Sequence, residues 1–350
     1  MSVRDLVLEK VRYAEPVTDD LSGADLSGLD LGGGLFFGAR LVGADLRGAT
    51  LAESVLSSCD LSRAVLDGVD LGHATLTSCV LHFASLREAR LVASKLIECD
   101  ATEASFEGAD MRLASLVTPH LSRASLAGAN LDRCSIVDLD GQEVSFERAN
   151  MAQTILFRAD LRTARFGSAR LHNTVLVEAN LAGQRFAGLD LTLCQLIHAD
   201  LTDADLTGAT LTTACLKGTK LVRAKLDGAR CERALFAEAD LTDATLTKAV
   251  LRQCVLEGAT LTRANLSGAD LYQAIFSKAT CDDARFVSAD LTYADFTHAS
   301  AERADFSHAT LFRARFHQTA DRGATFTSRG AALGDDPEQL ESERFSRRGK

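Results

Sequence analysis

The sequence predicts an all-β solenoid, and three observations predict it. A five-residue unit of small, polar, Leu or Phe, polar, polar runs in unbroken register from Leu21 to Phe326. Its central position recurs 62 times, and 56 of those residues are Leu, Phe, Ile or Met. Two residues before the centre the residue is usually Ala, with Cys, Ser, Thr or Val as substitutes. A period of five fits neither regular element. On a helix five residues turn about 500°, so successive centres would spiral and form no face. On a flat strand they would alternate between faces. The pattern is met if the chain turns a corner every five residues, with the centre and the residue two before it pointing inward. Four corners close a coil of about 20 residues, and stacked coils pair through their backbones at about 4.8 Å.

The elements follow in order. Residues 1–20 do not fit the repeat and are expected to cap the open first coil. Val3, Leu6, Val7 and Val11 could make a short amphipathic helix, or Leu6-Val7-Leu8 a strand, ended by Pro16. The repeat then occupies 21–328, giving about 15 coils. Two places look irregular: Pro119 at an inward position, and Asp138–Gln142, where Gly141 replaces a bulky centre. The latter could kink the solenoid. The other exceptional centres are Ala101, Cys231, Cys281, Ala301 and Asp321. Each of the six is followed five residues later by Phe, so the larger ring is expected to fill the space its neighbour leaves. Gln184 and Asp321 are the clearest polar residues at inward sites. Residues 329–350 are expected to form a helical cap and a basic tail. Asp336-Pro337-Glu338 is a helix start, with an acceptor at the N-cap, proline at the first helical position and an acid beside the positive end.

Composition bounds the function. The 350 residues carry a net charge of −10, which excludes a broad basic nucleic-acid footprint. No apolar run reaches the 18 residues of a membrane span. The start lacks the charged-then-apolar order of a signal peptide, so a cytoplasmic location is expected. Of nine cysteines, six take the small inward position, Cys231 and Cys281 are centres, and Cys215 alone should face out. Cys59, Cys79 and Cys99 should stack at one corner; they read as apolar filler in place of Ala. The eight His are scattered without a metal-ligand spacing, and Gly32-Gly33-Gly34 lacks the Lys-Ser/Thr of a phosphate loop. No cofactor, metal or catalytic residue is expected, and the chain reads as a non-enzyme.

Units such as Ala204-Asp205-Leu206-Thr207-Gly208, repeated over 21–326, resemble the pentapeptide-repeat family. The resemblance implies a right-handed quadrilateral parallel β-helix and a bacterial source. Some members mimic DNA with an acidic rod, bind DNA gyrase and protect against fluoroquinolones. The last coils, Leu311–His317 leading into Asp335-Asp336-Pro337-Glu338, look like pentapeptide-repeat proteins that accompany bacterial type VI secretion components, which implies an adaptor role.

Two surfaces stand out once the four sides are labelled by their centres. Side four holds centres 36, 56, 76 and onward. Of the 18 positions flanking its first nine centres, eleven are apolar: Leu35, Phe37, Val55, Ile97, Val117, Val137, Ile155, Phe157, Val175, Val177 and Ile197. The matching positions of side two include nine charged residues, so β-propensity, which acts on all sides alike, does not explain the bias. A protein partner or a second copy is expected there, with Phe37 and Phe157 as anchors. Side one carries Asp100, Glu103, Asp200, Asp203, Asp240, Asp243, Asp282 and Asp283, the acidic alternative for a gyrase-binding DNA mimic.

Overall fold

The computed structural model describes residues 2–348, with side chains as far as Glu343 at the C-terminal end. The chain is a parallel β-solenoid of about 15 turns, divided into two compact units, Met1–Gln184 and Arg185–Lys350. Within each unit the coils pair every 20 residues. The amide of Leu41 donates to Asp60 O at 2.7 Å, and that of Asp60 to Ala39 O at 3.0 Å. Centres and the residues two before them are buried, while the intervening positions face out. At an ordinary corner, Ala44 N–H donates to Leu41 O at 3.0 Å across a tight turn. The turn puts the second residue after each centre in the left-handed region. Gly208 takes it at φ 63°, and Arg263 takes the same conformation at φ 58°. Only Gly occupies this region without a Cβ penalty, so each substitute costs roughly 1 kcal/mol that the fold tolerates.

The first unit begins with α1 (Val3–Arg12). Ser2 and Asp5 form a reciprocal capping box, and Lys10 and Arg12 lie in the last turn. Those signals decide for the helix over the strand. Val7 is fully buried, and Lys10 holds Asp19 at 2.5 Å. Gly34 makes room for α1: a Cβ there would stand 2.8 Å from the Phe36 ring and 3.1 Å from Val11. The solenoid starts earlier than the repeat, because Val17 N–H donates to Leu35 O at 2.7 Å and its carbonyl accepts from Phe37 at 3.0 Å.

Seven short strands follow on side four: β1 (Leu35–Phe37), β2 (Val55–Ser57), β3 (Thr75–Thr77), β4 (Lys95–Ile97), β5 (Ser115–Val117), β6 (Ser135–Val137) and β7 (Ile155–Phe157). They form one parallel sheet in chain order. Their corners lack the tight-turn hydrogen bond. Thus Cys59, Cys79 and Cys99 donate their thiols to the carbonyls of Phe36, Leu56 and Leu76 at 3.4–3.5 Å. Pro119 is buried at the same kind of corner. There the equivalent amides of Ala39, Cys59 and Cys79 make no backbone bond, so proline loses nothing. The ladder also runs through the irregular segment: Asp140 pairs with Asp160, and Gly141 N–H donates to Asp160 O at 3.1 Å. The space a Cβ on Gly141 would enter is taken by Leu161 and Val144, at 3.1 and 3.2 Å. The atoms nearest that space thus belong to Asp160, Leu161 and Val144 and not to Phe146, the ring expected to fill it. Gln184 satisfies its buried amide on the carbonyls of Leu161 and Ala164 at 2.5 and 2.8 Å.

In the second unit the corners are tight turns through β8 (Asp305–Phe306), where Ala309 N–H donates to Phe306 O at 3.1 Å, and the turn is lost at β9 (Thr325–Phe326). Its core ends in two columns of rings. Phe276, Phe296 and Phe316 stack at 4.6 and 5.0 Å; Phe286, Phe306 and Phe326 stack at 4.9 and 4.8 Å. Edge-to-face contacts near 5.7 Å join the columns. Arg329 lies over Phe316 and Phe326, 4.8 and 5.0 Å from their centroids, and pairs with Asp321. Asp321 is thus a half-exposed partner at the end of the core. Leu333 adds a further rung, bonded to Ala314 O and Phe316 N at 2.8 Å. Then α2 (Pro337–Arg348) starts on Asp336, whose carboxylate accepts from Glu338 and Gln339 at 3.0 and 3.1 Å. The side chain of Phe345 and the end of the basic tail, Gly349-Lys350, lie outside the described residues.

Candidate protein-binding face

Strand alternation fixes what the side-four sheet shows. The middle residue of each three-residue strand is inward, and the first and third face out. Parallel register then stacks equivalent residues: Ile97 on Val117, Val117 on Val137, Val137 on Phe157. The result is an unbroken outward apolar column of four rungs. The first residues of the same strands are Lys95, Ser115, Ser135 and Ile155, so apolar surface on that row returns only at Ile155. Leu35, Phe37 and Val55 form a second group, separated from the column by Ser57, Thr75 and Thr77. The residues of the first unit read as part of one strip are therefore two clusters with a polar gap.

Exposure divides them further. Phe37, Val117 and Ile155 are exposed, at 43%, 38% and 40%. Leu35, Val55, Ile97, Val137, Phe157, Val175 and Val177 are half-buried. Phe157 is roofed by the guanidinium of Arg158, 4.8 Å from its centroid, and Arg158 is held by Asp138 at 2.7 and 2.8 Å. Val175 bridges to Ile155 but lies in a turn coil beyond the sheet. Ile197 belongs to the second unit.

On side one the acids are partnered. Glu103 meets Arg123, Asp203 meets Arg223, Asp243 meets Arg263 and Asp283 meets Arg303, at 2.5–2.7 Å. The arginine hydrogen bonds hold Asp203, Asp243 and Asp283 below the ordinary carboxylate range. Asp100 contacts His82 at 2.7 Å, and Asp200 is 3.8 Å from Lys220. Asp240 accepts from Thr242, and Asp282 from Ser300 and the amide of Glu302. From Asp203 to Arg303 this row is a ladder of alternating charge, not a stripe of free carboxylates.

Two features escaped sequence reading. Tyr272, Tyr293 and Phe312 make an edge-to-face row on the second unit, at 5.9 and 5.7 Å, with Arg252 over Tyr272. Tyr272 and Phe312 follow their centres by one residue and Tyr293 by two, so the row does not keep to a single position of the unit. The other feature is the convergence of His298, His317 and Glu343, in which Glu343 comes from α2, outside the repeat. All nine cysteines are free, and Cys215 is the one that is not buried. No helix among the described residues is long and apolar enough to cross a membrane.

A coiled core of Leu and Phe with unlike outward sides defines a β-solenoid repeat protein. The chain belongs to the pentapeptide-repeat family: the model "Pentapeptide repeats (8 copies)" matches in successive stretches between residues 20 and 116 and between 174 and 327. No curated protein matches significantly. Among solved structures, it is similar to HetL, a pentapeptide repeat protein involved in heterocyst differentiation regulation in the cyanobacterium Nostoc sp. strain PCC 7120. The identity is 27%, over 90% of this chain and 96% of that one, with a TM-score of 0.23. It is also similar to a trypsin-treated variant of QnrB1, a plasmid-mediated fluoroquinolone resistance protein, at 16% identity over 66% and 95% of the chains and a TM-score of 0.25. A pentapeptide repeat protein of the Arabidopsis thaliana thylakoid lumen matches at 26% identity over 29% and 71%, with a TM-score of 0.21. Superpositions at these scores say nothing of function.

Proposed function

We propose that the chain is a non-enzymatic scaffold that docks a partner protein on the side-four sheet of its first unit. The observation that carries the reading is the column Ile97, Val117, Val137 and Phe157, four apolar side chains in register on consecutive strands. Water-facing positions on a repeat surface are free to be polar, as they are at Ser57 and Thr77. At about 4.8 Å per strand the column spans roughly 15 Å and covers on the order of 150 Å². That is well below the ~800 Å² per partner of a stable dimer. The column therefore suits the energetic centre of a heterologous contact, rimmed by Glu98, Asp138 and Arg158. The secretion adaptor is the particular role carried by the C-terminal likeness.

The test substitutes Val117→Lys, Val137→Glu, Phe157→Lys and Val177→Glu together. Circular dichroism and melting temperature should stay near those of the unmodified protein, because these side chains lie outside the core. Proteins recovered with the unmodified chain in affinity purification should be lost with the variant. Retention of every partner by a folded variant would sink the reading. A shift from dimer to monomer in light scattering would replace the partner with a second copy. Potent inhibition of gyrase supercoiling by the unmodified protein at micromolar concentration would favour the acidic side instead.

A further inference from the structure

We infer that the C-terminal end of the second unit is a zinc-class metal site built from His298, His317 and Glu343. His298 and His317 stand 19 residues apart on adjacent coils, and α2 delivers Glu343 across them. Glu343 Oε1 lies 3.3 Å from His298 Nε2 and 3.5 Å from His317 Nε2. Two ligands at the 2.0–2.1 Å bond length of zinc in a tetrahedron are separated by about 3.3–3.4 Å. The three donor atoms all fall within 4.8 Å of one another, so a small inward movement of the two imidazoles closes the set. Two nitrogens and a carboxylate oxygen suit zinc and its borderline neighbours and leave a fourth position for water.

A second observation points to a ligand independently of the spacing. His317 is 2% exposed, and its Nε2 makes no well-formed hydrogen bond: it is aimed at the Glu343 carboxylate, 3.5 Å away. A buried polar atom left unpaired is costly, and a metal removes the cost. The surroundings supply orientation. Gln318 and Gln339 donate to the two oxygens of Glu343, as outer partners of a ligating carboxylate do. On the other face of His317, Nδ1 accepts from the amide of Asp336 at 3.1 Å, which places the proton of the neutral ring on Nε2. Metal binding at Nε2 moves that proton to Nδ1, which gives up the bond from the Asp336 amide and donates instead to the Asp335 carboxylate, 3.7 Å away. Binding is thereby coupled to the turn that starts α2.

Isothermal titration of the purified full chain with Zn²⁺, and Co²⁺ absorption spectroscopy, test the site. One equivalent should bind, with intense visible Co²⁺ bands characteristic of four-coordination, and the melting temperature should rise. His298→Ala and Glu343→Gln, both at partly exposed positions, should abolish the bands while circular dichroism is unchanged. Asp335→Asn should weaken binding about 10- to 100-fold as an outer-sphere change. Absence of the one-equivalent event, or its persistence in both ligand variants, would overturn the assignment.

Discussion

Arg263 closes a two-pronged ion pair on Asp243 from the following coil, Nε donating to Oδ1 at 2.7 Å and Nη2 to Oδ2 at 2.6 Å. The same geometry joins Arg223 to Asp203 and Arg303 to Asp283. At 20-residue spacing the sequence reads Asp203, Arg223, Asp243, Arg263, Asp283, Arg303, so each coil faces the opposite charge on its neighbours. Asp243→Lys would stack three cations and should lower the melting temperature more than Asp243→Ala. The comparison should shrink in high salt, since these groups are exposed.

The same pair has a pH signature. Hydrogen bonding to Arg263 lowers the Asp243 carboxyl below its ordinary 3.8. A depressed carboxyl contributes stability that is present above the unfolded value and lost as pH falls through the folded one. A double-mutant cycle of Asp243→Ala and Arg263→Ala, read by thermal melting, should show coupling at neutral pH that declines below pH 3.8. Coupling that persists undiminished at the acid end would show that the pair acts through packing.

Thiol chemistry should separate Cys215 from its eight buried fellows. Burial pushes Cys134 up to about 12 and raises Cys231 and Cys281 further. The thiolate is the reactive form. Ellman's reagent should therefore titrate one thiol in the folded protein and all nine in denaturant. Rapid reaction of several thiols without denaturant would contradict the inward placement of the repeat's small position.

Phe306 sits between Phe286 and Phe326, with edge contacts to Phe296 and Phe316. Phe306→Ala should cost about 3–5 kcal/mol in urea unfolding, at the high end of large-to-small core changes. Ala301→Leu alone should overpack, and combining it with Phe306→Leu should recover much of that second loss if the two positions share volume; a double variant no better than the sum of the singles would show that they do not.

Gly34→Val should detach α1 while leaving the coils below it paired. Its Cβ would stand 2.9 Å from Leu31 O, a backbone atom that cannot rotate away, as well as against Phe36 and Val11. Helical signal should fall, with the strand signal retained; unchanged helicity would mean that α1 needs no close approach here.

Much of this molecule is legible in one dimension because its period is short. The inward and outward identity of each residue follows from its place in the unit, and so do Cys215 outside and Gln184 inside. The cap of α2 could be read the same way, since caps are local hydrogen bonds between near neighbours, whereas the choice of helix over strand at Val3–Arg12 came only with the structure. The side-four reading was only partly legible. Counting flanks gave the apolar bias but not the polar gap at Ser57, Thr75 and Thr77, because a count discards the order in which coils stack.

The sequence by itself determined the coil, its core and the chemistry available on each side, since all three depend on a register that repeats every five residues. Tertiary structure decided what that register leaves open. It chose extended strands for β1–β7 and tight turns for the corners of the second unit up to β9. It set Arg158 over Phe157, where side-chain direction and not spacing makes the contact. It brought Glu343 to His298 and His317, because α2 lies outside the repeat and its position is set by packing on the last coil. Periodicity propagates along stacked backbones; contacts made by a segment without the period exist only once the chain is folded.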